Sequence, residues 1–422
     1  MKRTCSLNTN KDGYLTCEFH PAIKKTKYIW MKRIILIISI SAFSFPLFAQ
    51  NTVDQVLTEV EKNNTTLVAL RKSVDAEKIG NKTGIYLQNP EVAFNYLWGN
   101  PSAIGNRTDF SISQTFDFPT AYRYKNQISD LKNEQAGLEY QKQLMDIRLK
   151  TSLICYDLIY ANALQAELTK RVECAQSIAK SYQVKFEKGE TNILEYNKAQ
   201  LNQLNVTKEL ESIRIERNAI LAELTGLNGG QAVNFTESVF QITELPADFE
   251  QWYVLAEQKN PTFRWLKKEI EISQKQTGLN RAMSWPKLQT GYMSEKVVGQ
   301  QFQGVTIGLS IPLWENKNKV KYAEASSQAL ESIAADNKIQ FYNHLKALHT
   351  KTIALQKNVK EYRSSLISFD SSELSRKALD HGEISLINYL MEFSLYYESV
   401  NKLLELERDM NKTMAELNQY QK

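Results

Sequence analysis

A strict alternation of apolar and polar side chains runs through residues 108–118 and ends at Pro119. Side chains of a strand point alternately to its two faces, so this period of two predicts a strand with one apolar and one polar face. A long proline-free stretch follows, rich in Leu, Ile, Gln, Lys, Glu and Ala, up to Gly189. This stretch predicts a long helix that ends in a glycine turn.

The same unit occurs a second time, 193 residues further along the chain. Pro119 corresponds to Pro312 and Gly189 corresponds to Gly382. The proline and the glycine are 70 residues apart in both units (189 − 119 and 382 − 312), and the alternation of the strand recurs in the same register. A strand, a proline, a long helix and a glycine turn therefore form an internal repeat.

Each repeat is predicted to contain a helix, a β-hairpin and a long helical hairpin. The first repeat occupies residues 50–245, with the β-hairpin at 90–118, the helical hairpin at 120–226 and a connector after it. The second repeat occupies residues 246–422, with the β-hairpin at 286–313, its turn near 299–303, and the helical hairpin at 315–420. The first helix of that second hairpin is expected to run without interruption from 321 to 380. Helices of this length must lie against other helices, as in a coiled coil.

The first 49 residues differ from the rest in kind. Residues 1–30 are polar and basic and precede a second possible start at Met31. Lys32 and Arg33 follow, then a short apolar run that ends at Ala49, the order of a secretory signal peptide. This leader holds 8 of the 52 Lys and Arg and 2 of the 47 Asp and Glu, so the expected mature chain has a net charge of about −1 (44 − 45). The basic composition of the whole chain therefore does not indicate a nucleic-acid partner.

Residues that carry enzyme chemistry are scarce. The expected mature chain has three histidines, and it lacks the zinc, phosphate-loop and nucleophile-elbow motifs. Cys155 and Cys174 are 19 residues apart on one predicted helix, too far to form a disulfide with each other, and are expected to be buried thiols. We therefore expect no enzyme activity, no cofactor and no metal site.

The four predicted strands match the spans of membrane β-barrels, which alternate between a lipid face and a lumen face. The smallest such barrels have eight strands, and an open sheet edge in lipid leaves unpaired backbone groups. Several copies of the chain must therefore share one barrel, and the helices must leave it on one side. The expected fold class is an α+β membrane protein, a barrel continued by a tube of helices.

The chain resembles the TolC-like outer-membrane efflux channels over about residues 51–420. The resemblance is carried by SISQTFDFP and IGLSIP before the long helices, by the Asn-Pro starts, and by the duplicated turns FEKGETNILEYNKAQL and LDHGEISLINYLMEF. It implies a homotrimer whose twelve-stranded barrel lies in outer-membrane lipid and continues as a periplasmic α-helical barrel. It also implies two partners, a periplasmic adaptor and an inner-membrane pump, most often of the resistance-nodulation-division class. Drugs, metal cations or other small molecules would leave through the channel.

The resemblance places the turn glycines, Gly189 and Gly382, at the periplasmic tip. The residues around them that would close this tip or dock the adaptor are Glu190, Glu195, Tyr196, Glu383, Asn388 and Tyr389. Leu379 and Ile384 stand where some members of the family have a Tyr and an Arg that lock the tip. A ring of carboxylates at the aperture, from Glu190, Glu383 or Glu392, would favour cations, whereas ordinary solvated charges would not.

Two other functions remain open at the level of the sequence. A channel for type I protein secretion would carry the same residues. A periplasmic coiled-coil adaptor or scaffold would explain the long helical hairpins but not the repeated strand pairs. A metal-cation cargo is expected only from the overall resemblance.

Overall fold

The computed structural model describes residues 52–241, 245, 248–369 and 371–421, together with two short strands near the start, Asn8–Thr9 (β1) and Leu15–Thr16 (β2). β1 and β2 pair antiparallel within a unit of their own, residues 1–50. The predicted signal sequence lies outside the described residues. The remainder of the chain forms a second unit.

Two pairs of short helices precede the strand pairs. The first pair is Val53–Asn63 (α1) and Thr65–Gly80 (α2), and the Asn64 side chain between them accepts a hydrogen bond from the Leu67 N–H at 2.9 Å. The second pair is Phe249–Lys259 (α5) and Pro261–Ala282 (α6), where the Asn260 side chain accepts from Thr262 N–H at 2.9 Å. An asparagine that ends one helix and caps the next is thus repeated at matching positions.

The strands form one antiparallel sheet in the order β3-β4-β5-β6. They are Glu91–Leu97 (β3), Arg107–Phe116 (β4), Lys287–Val297 (β5) and Gln300–Ser310 (β6). The pairing of β4 with β5 joins the two repeats, so the duplicated hairpins form a single sheet. β3 and β6 are left as the two outer strands.

The two hairpins turn differently. Residues 98–106 form a long first loop with a short 3₁₀ helix at Ser102–Ile104. The second turn consists of Val298 and Gly299, both with positive φ (43° and 81°), so the turn predicted near 299–303 is wrong. Two central residues with positive φ match the right-handed twist of the flanking strands, and β6 therefore begins at once, at Gln300.

Each long helical hairpin begins near the sheet. In the first repeat, Pro119–Glu187 (α3) starts at its proline and Ile193–Leu227 (α4) returns. In the second repeat Pro312 does not start the helix, because residues 313–318 form turns and Lys319–Ser368 (α7) follows them.

The uninterrupted helix expected over 321–380 is wrong as well. α7 ends at Ser368, and Ser372–Asp380 (α8) and Leu386–Asn418 (α9) follow. At the end of α7 the hydroxyl of Ser364 donates to the Glu361 carbonyl, and that of Ser368 donates to the Ser364 carbonyl. Five serines lie between 364 and 372, and serine favours helix ends and turns over helix interiors, which gives a physical reason for the break.

The long helix α3 is the centre of the packing. It lies against α4, α6 and α9 along different parts of its length. Against α4 it forms an apolar cluster that includes Leu164, Leu168, Val172, Leu210 and Ile213. Among the described residues, no helix is both long enough and apolar enough to cross a membrane.

Candidate functional site

The first helical hairpin turns at Gly189, whose φ is +73°. The N–H of Glu190 donates to the Lys185 carbonyl at 2.7 Å, and the N–H of Gly189 donates to the Phe186 carbonyl at 3.0 Å. These are the two hydrogen bonds of a Schellman motif, which satisfies the last carbonyls of α3 and needs a residue that tolerates positive φ. Asn192 then caps α4 by accepting from the Glu195 N–H at 3.0 Å.

The second hairpin turns in the same way at Gly382, whose φ is +75°. The N–H of Glu383 donates to the Ala378 carbonyl at 2.8 Å, and that of Gly382 donates to the Leu379 carbonyl at 3.1 Å. Ser385 caps α9 by accepting from the Asn388 N–H at 3.3 Å. The two turns therefore have the same backbone and capping hydrogen bonds at matching positions. We call them tip 1 (189–196) and tip 2 (382–389).

The acidic residues around the tips occupy different settings. Glu190 and Glu383 are exposed. Glu195 forms an ion pair with Lys198 at 2.9 Å, so its charge is compensated within the first turns of α4. Glu392 accepts a hydrogen bond from the buried Ser375 hydroxyl at 3.2 Å, and this contact ties α9 to α8.

The equivalent tyrosines of the two tips differ. Tyr196 is partly exposed and stacks on Phe186, with ring centroids 5.2 Å apart. Tyr389 is only 1% exposed and belongs to a cluster with Leu379, Leu386 and Ile178. Tip 2 is therefore docked onto α3 by a buried aromatic side chain, whereas tip 1 has a local stack only.

Polar contacts at Cys174 reinforce this docking. The Arg376 guanidinium on α8 lies 3.1 Å from the Cys174 sulfur and 3.1 Å from the Ser177 hydroxyl, both on α3. The Tyr389 hydroxyl lies 3.4 Å from the same sulfur. Burial raises the pKa of the Tyr389 hydroxyl, which disfavours its ionised form further. Cys155 is a buried thiol as expected, but Cys174 is partly exposed and takes part in this polar contact.

The sequence did not reveal this cluster, because Arg376 and Cys174 are about 200 residues apart and neither belongs to a recognisable motif. Leu379 and Ile384 were singled out only as departures from a polar lock. In the structure Leu379 is buried beside Tyr389, and Ile384 packs against the same cluster. At the two positions where some members of the family have a polar lock, this chain therefore makes apolar contacts.

The sheet provides the second part of the candidate site. Ile112, Tyr292 and Val305 are cross-strand partners and form one row of an apolar face. The next row, Ser113, Gly291 and Thr306, belongs to the opposite face and contains small or polar residues. Partners across a sheet point to the same side, so the observed register gives the two-faced sheet that the alternation predicted.

Aromatic side chains border the apolar face at both ends. Tyr96 and Trp98 pack edge to face at the hairpin end. Trp285 stacks on Phe118 at the end where the helices begin. The described residues contain no group of three or more His, Cys, Asp or Glu that could hold a metal ion.

No protein-family model matches the sequence, and no curated protein matches it. Solved structures do resemble it. The chain matches the channel protein CusC with a TM-score of 0.72 and 16% identity, over 88% of this chain and 92% of CusC. It matches the CmeC outer-membrane channel of Campylobacter jejuni with a TM-score of 0.72 and 14% identity, over 87% and 85%. It also matches the MtrE outer-membrane channel of Neisseria gonorrhoeae, in its open state, with a TM-score of 0.67 and 11% identity, over 87% and 88%.

The unequal docking of the tips gives a testable pair of variants. Tyr389→Leu removes a buried hydroxyl and ring, so the local opening free energy of tip 2 should fall by about 1–3 kcal/mol. Amide hydrogen exchange over residues 385–393 should then become roughly tenfold faster or more. The matched variant Tyr196→Leu should change exchange over residues 192–200 much less. Equal effects at the two tips would contradict the assigned difference.

Proposed function

From the fold of TolC-like outer-membrane efflux channels, we propose that this chain is the outer-membrane duct of a tripartite efflux system. Three copies form one channel, a periplasmic adaptor docks at its helical tips, and an inner-membrane pump, of the resistance-nodulation-division class, delivers the cargo. The cargo is a small molecule or a metal cation, which the pump selects. The observation that carries this proposal is a two-faced sheet with two open edges, whose strands β4 and β6 lead into the long helices α3 and α7 at the same end.

The open edges support the sharing of one barrel between copies. β3 and β6 each pair on one side only, since the order is β3-β4-β5-β6. In lipid each unpaired backbone group costs several kcal/mol, and four strands are too few to close on themselves. Pairing of β6 with β3 of the next copy removes every edge, and three copies give twelve strands.

The two faces of the sheet support a wet lumen and a lipid-facing wall. The apolar face carries Phe94, Phe110 and Ile112, between aromatic residues at either end, as in the outward band of membrane barrels. The opposite face carries Ser111, Ser113 and Thr306, which suit an aqueous interior. Gln114, Phe116 and Ile307 are thus assigned to lipid, and Ser113, Thr115 and Thr306 to the lumen.

The length of the helices supports a duct that crosses an aqueous gap. α3 has 69 residues. At 1.5 Å per residue it extends about 100 Å from the sheet, far beyond the thickness of a bilayer. Tips 1 and 2 therefore lie at the far end, in reach of periplasmic and inner-membrane partners.

The tips support a role in closure and docking. A duct that stayed open at both ends would leak, and two turns from each of three copies surround the axis at the far end. Contacts among these six turns hold the tip closed at rest, and adaptor docking at the same turns releases it. An open state is described for one neighbour of this fold. Glu190 and Glu383, exposed at the turns, would give carboxylate rings that favour cations.

The assignment of sheet faces can be tested by thiol labelling during conductance measurements in planar bilayers. With Cys174 replaced by serine, a cysteine at Thr306 should react with a charged, water-soluble thiol reagent and lower the single-channel conductance. A cysteine at the neighbouring Ile307 should be in lipid and leave the conductance unchanged. If both positions react equally, or if the protein forms no channel, the duct assignment is wrong.

The gate can be tested at the two turn glycines. Valine resists positive φ, so Gly189→Val with Gly382→Val should disturb both turns. We expect an altered conductance and reduced efflux in cells. Gly137→Val, within α3 and without close neighbours, is the matched control. Conductance and efflux that both equal those of the control would exclude the turns as the gate.

A further inference from the structure

Two contacts hold α3 toward the tips, one with α4 and one with α8 and α9. The contact with α4 is the apolar cluster around Leu168, Val172 and Leu210. The contact with α8 and α9 combines the buried apolar cluster around Tyr389 with the polar contacts that Arg376 makes to Cys174 and Ser177. Polar contacts can exchange partners with little loss of buried apolar area, so a polar side chain in this contact can take a second partner.

Arg171, one turn from Cys174, lies in this polar contact. It is only 5% exposed. Its Nη2 donates to the Asn401 side-chain oxygen at 2.9 Å and to the Tyr397 carbonyl at 3.4 Å, both on α9. Its guanidinium carbon also lies 4.1 Å from the centre of the Tyr397 ring.

The positive charge of Arg171 has no acidic partner in this arrangement. Among the described residues, Arg171 forms no ion pair with a carboxylate, its hydrogen bonds go to an amide and a carbonyl oxygen, and its Nε is buried without a hydrogen-bond partner. Removal from water lowers the pKa of Arg171, and the field of Glu209 is the largest effect that opposes this. A buried and unpaired charge is costly, so an arrangement that supplied a carboxylate would be favoured as soon as space allowed it.

The space and the carboxylate are both present. A cavity of about 380 Å³ lies between α3, α4 and α9, and Arg171 lines it. Glu209 lines the same cavity from α4, and Glu398 lines it from α9. Glu209 stays with Arg171 if α9 moves, because α4 is held to α3 by the apolar cluster, whereas Glu398 departs with α9.

We propose that Arg171 is a two-position switch in the wall of the helical tube. In the present conformation it holds α9 through Asn401 and the Tyr397 carbonyl. When tip 2 moves away from α3, Arg171 turns through the cavity and pairs with Glu209 on α4. The switch rests on the proposed channel function. It lies 18 residues before Gly189, about 27 Å along α3, and therefore acts away from the aperture.

The interruption between α7 and α8 fits this movement. α7 ends at Ser368 and α8 begins at Ser372, so the segment that carries tip 2 is joined to the rest of its hairpin by a break. No such break occurs in α3, which runs continuously to Glu187. In the proposed movement the second hairpin changes its packing on α3 while the first hairpin keeps its shape. Arg171 then has a partner on α9 in one arrangement and a partner on α4 in the other.

The switch predicts opposite effects for its two partners. Glu209→Gln removes the carboxylate of the displaced state, so open-channel probability in planar bilayers should fall by roughly threefold or more. Asn401→Leu removes the acceptor of the present state, so open probability should rise by a similar factor. In an Arg171→Met background, Glu209→Gln should have no further effect, because the two residues act through one contact.

Matched variants separate this switch from general effects of charge. Glu211→Gln, on the same helix and paired with Lys208 at the surface, should leave open probability unchanged. A loss with Glu398→Gln but not with Glu209→Gln would overturn the proposal, as would an undiminished effect of Glu209→Gln in the Arg171→Met background. A wild-type protein without conductance would instead overturn the proposed function. A conducting wild type with an unaffected Glu209→Gln variant would overturn the switch alone.

Discussion

The pairing of backbone groups at the edges of the sheet is the constraint on which this structure depends. One chain contributes four strands whose outer members, β3 and β6, each have one unpaired side. In water such edges can be solvated, but in a bilayer they cannot. A sheet of this kind can therefore enter a bilayer only if its edges are paired with those of other copies. The duplicated hairpins, joined by β4 and β5, form one sheet that still leaves one open edge on β3 and one on β6.

The duplication produces two helical hairpins with the same turn and different attachments. The Schellman turns at Gly189 and Gly382 agree in φ and in hydrogen bonding because both are set by local sequence. Their surroundings are set by tertiary packing, and there the copies diverge. Tyr389 is buried against α3 while the equivalent Tyr196 stacks locally, and only the second hairpin has a break before its tip. The two hairpins thus share the same turn and differ in the packing around it.

The sequence predicted the features that follow from the alternation of side chains or from the internal repeat. The alternation at residues 108–118 gave the two faces of β4, and the constant spacing gave both turns at the correct glycines. The predictions from the sequence failed where the residue types at a turn or a helix end were weak or misleading guides. The glycine and glutamines at 299–303 suggested a loop, although only Gly299 lies in the turn, and the serines before Ser372 did not stand out as a helix break. The contacts of Arg171, Cys174 and Arg376 could not be predicted, because they join residues about 200 positions apart with no motif in common.

The mass of the protein extracted in mild detergent tests the central claim most directly, namely that the open edges of the sheet force copies to share one barrel. Native mass spectrometry should give a species of three chains, and circular dichroism of the same sample should show its strand content intact. Dissociation to single chains should abolish that strand content, because the edges would then be exposed. A stable single chain that keeps its full strand content in detergent or lipid would contradict the account.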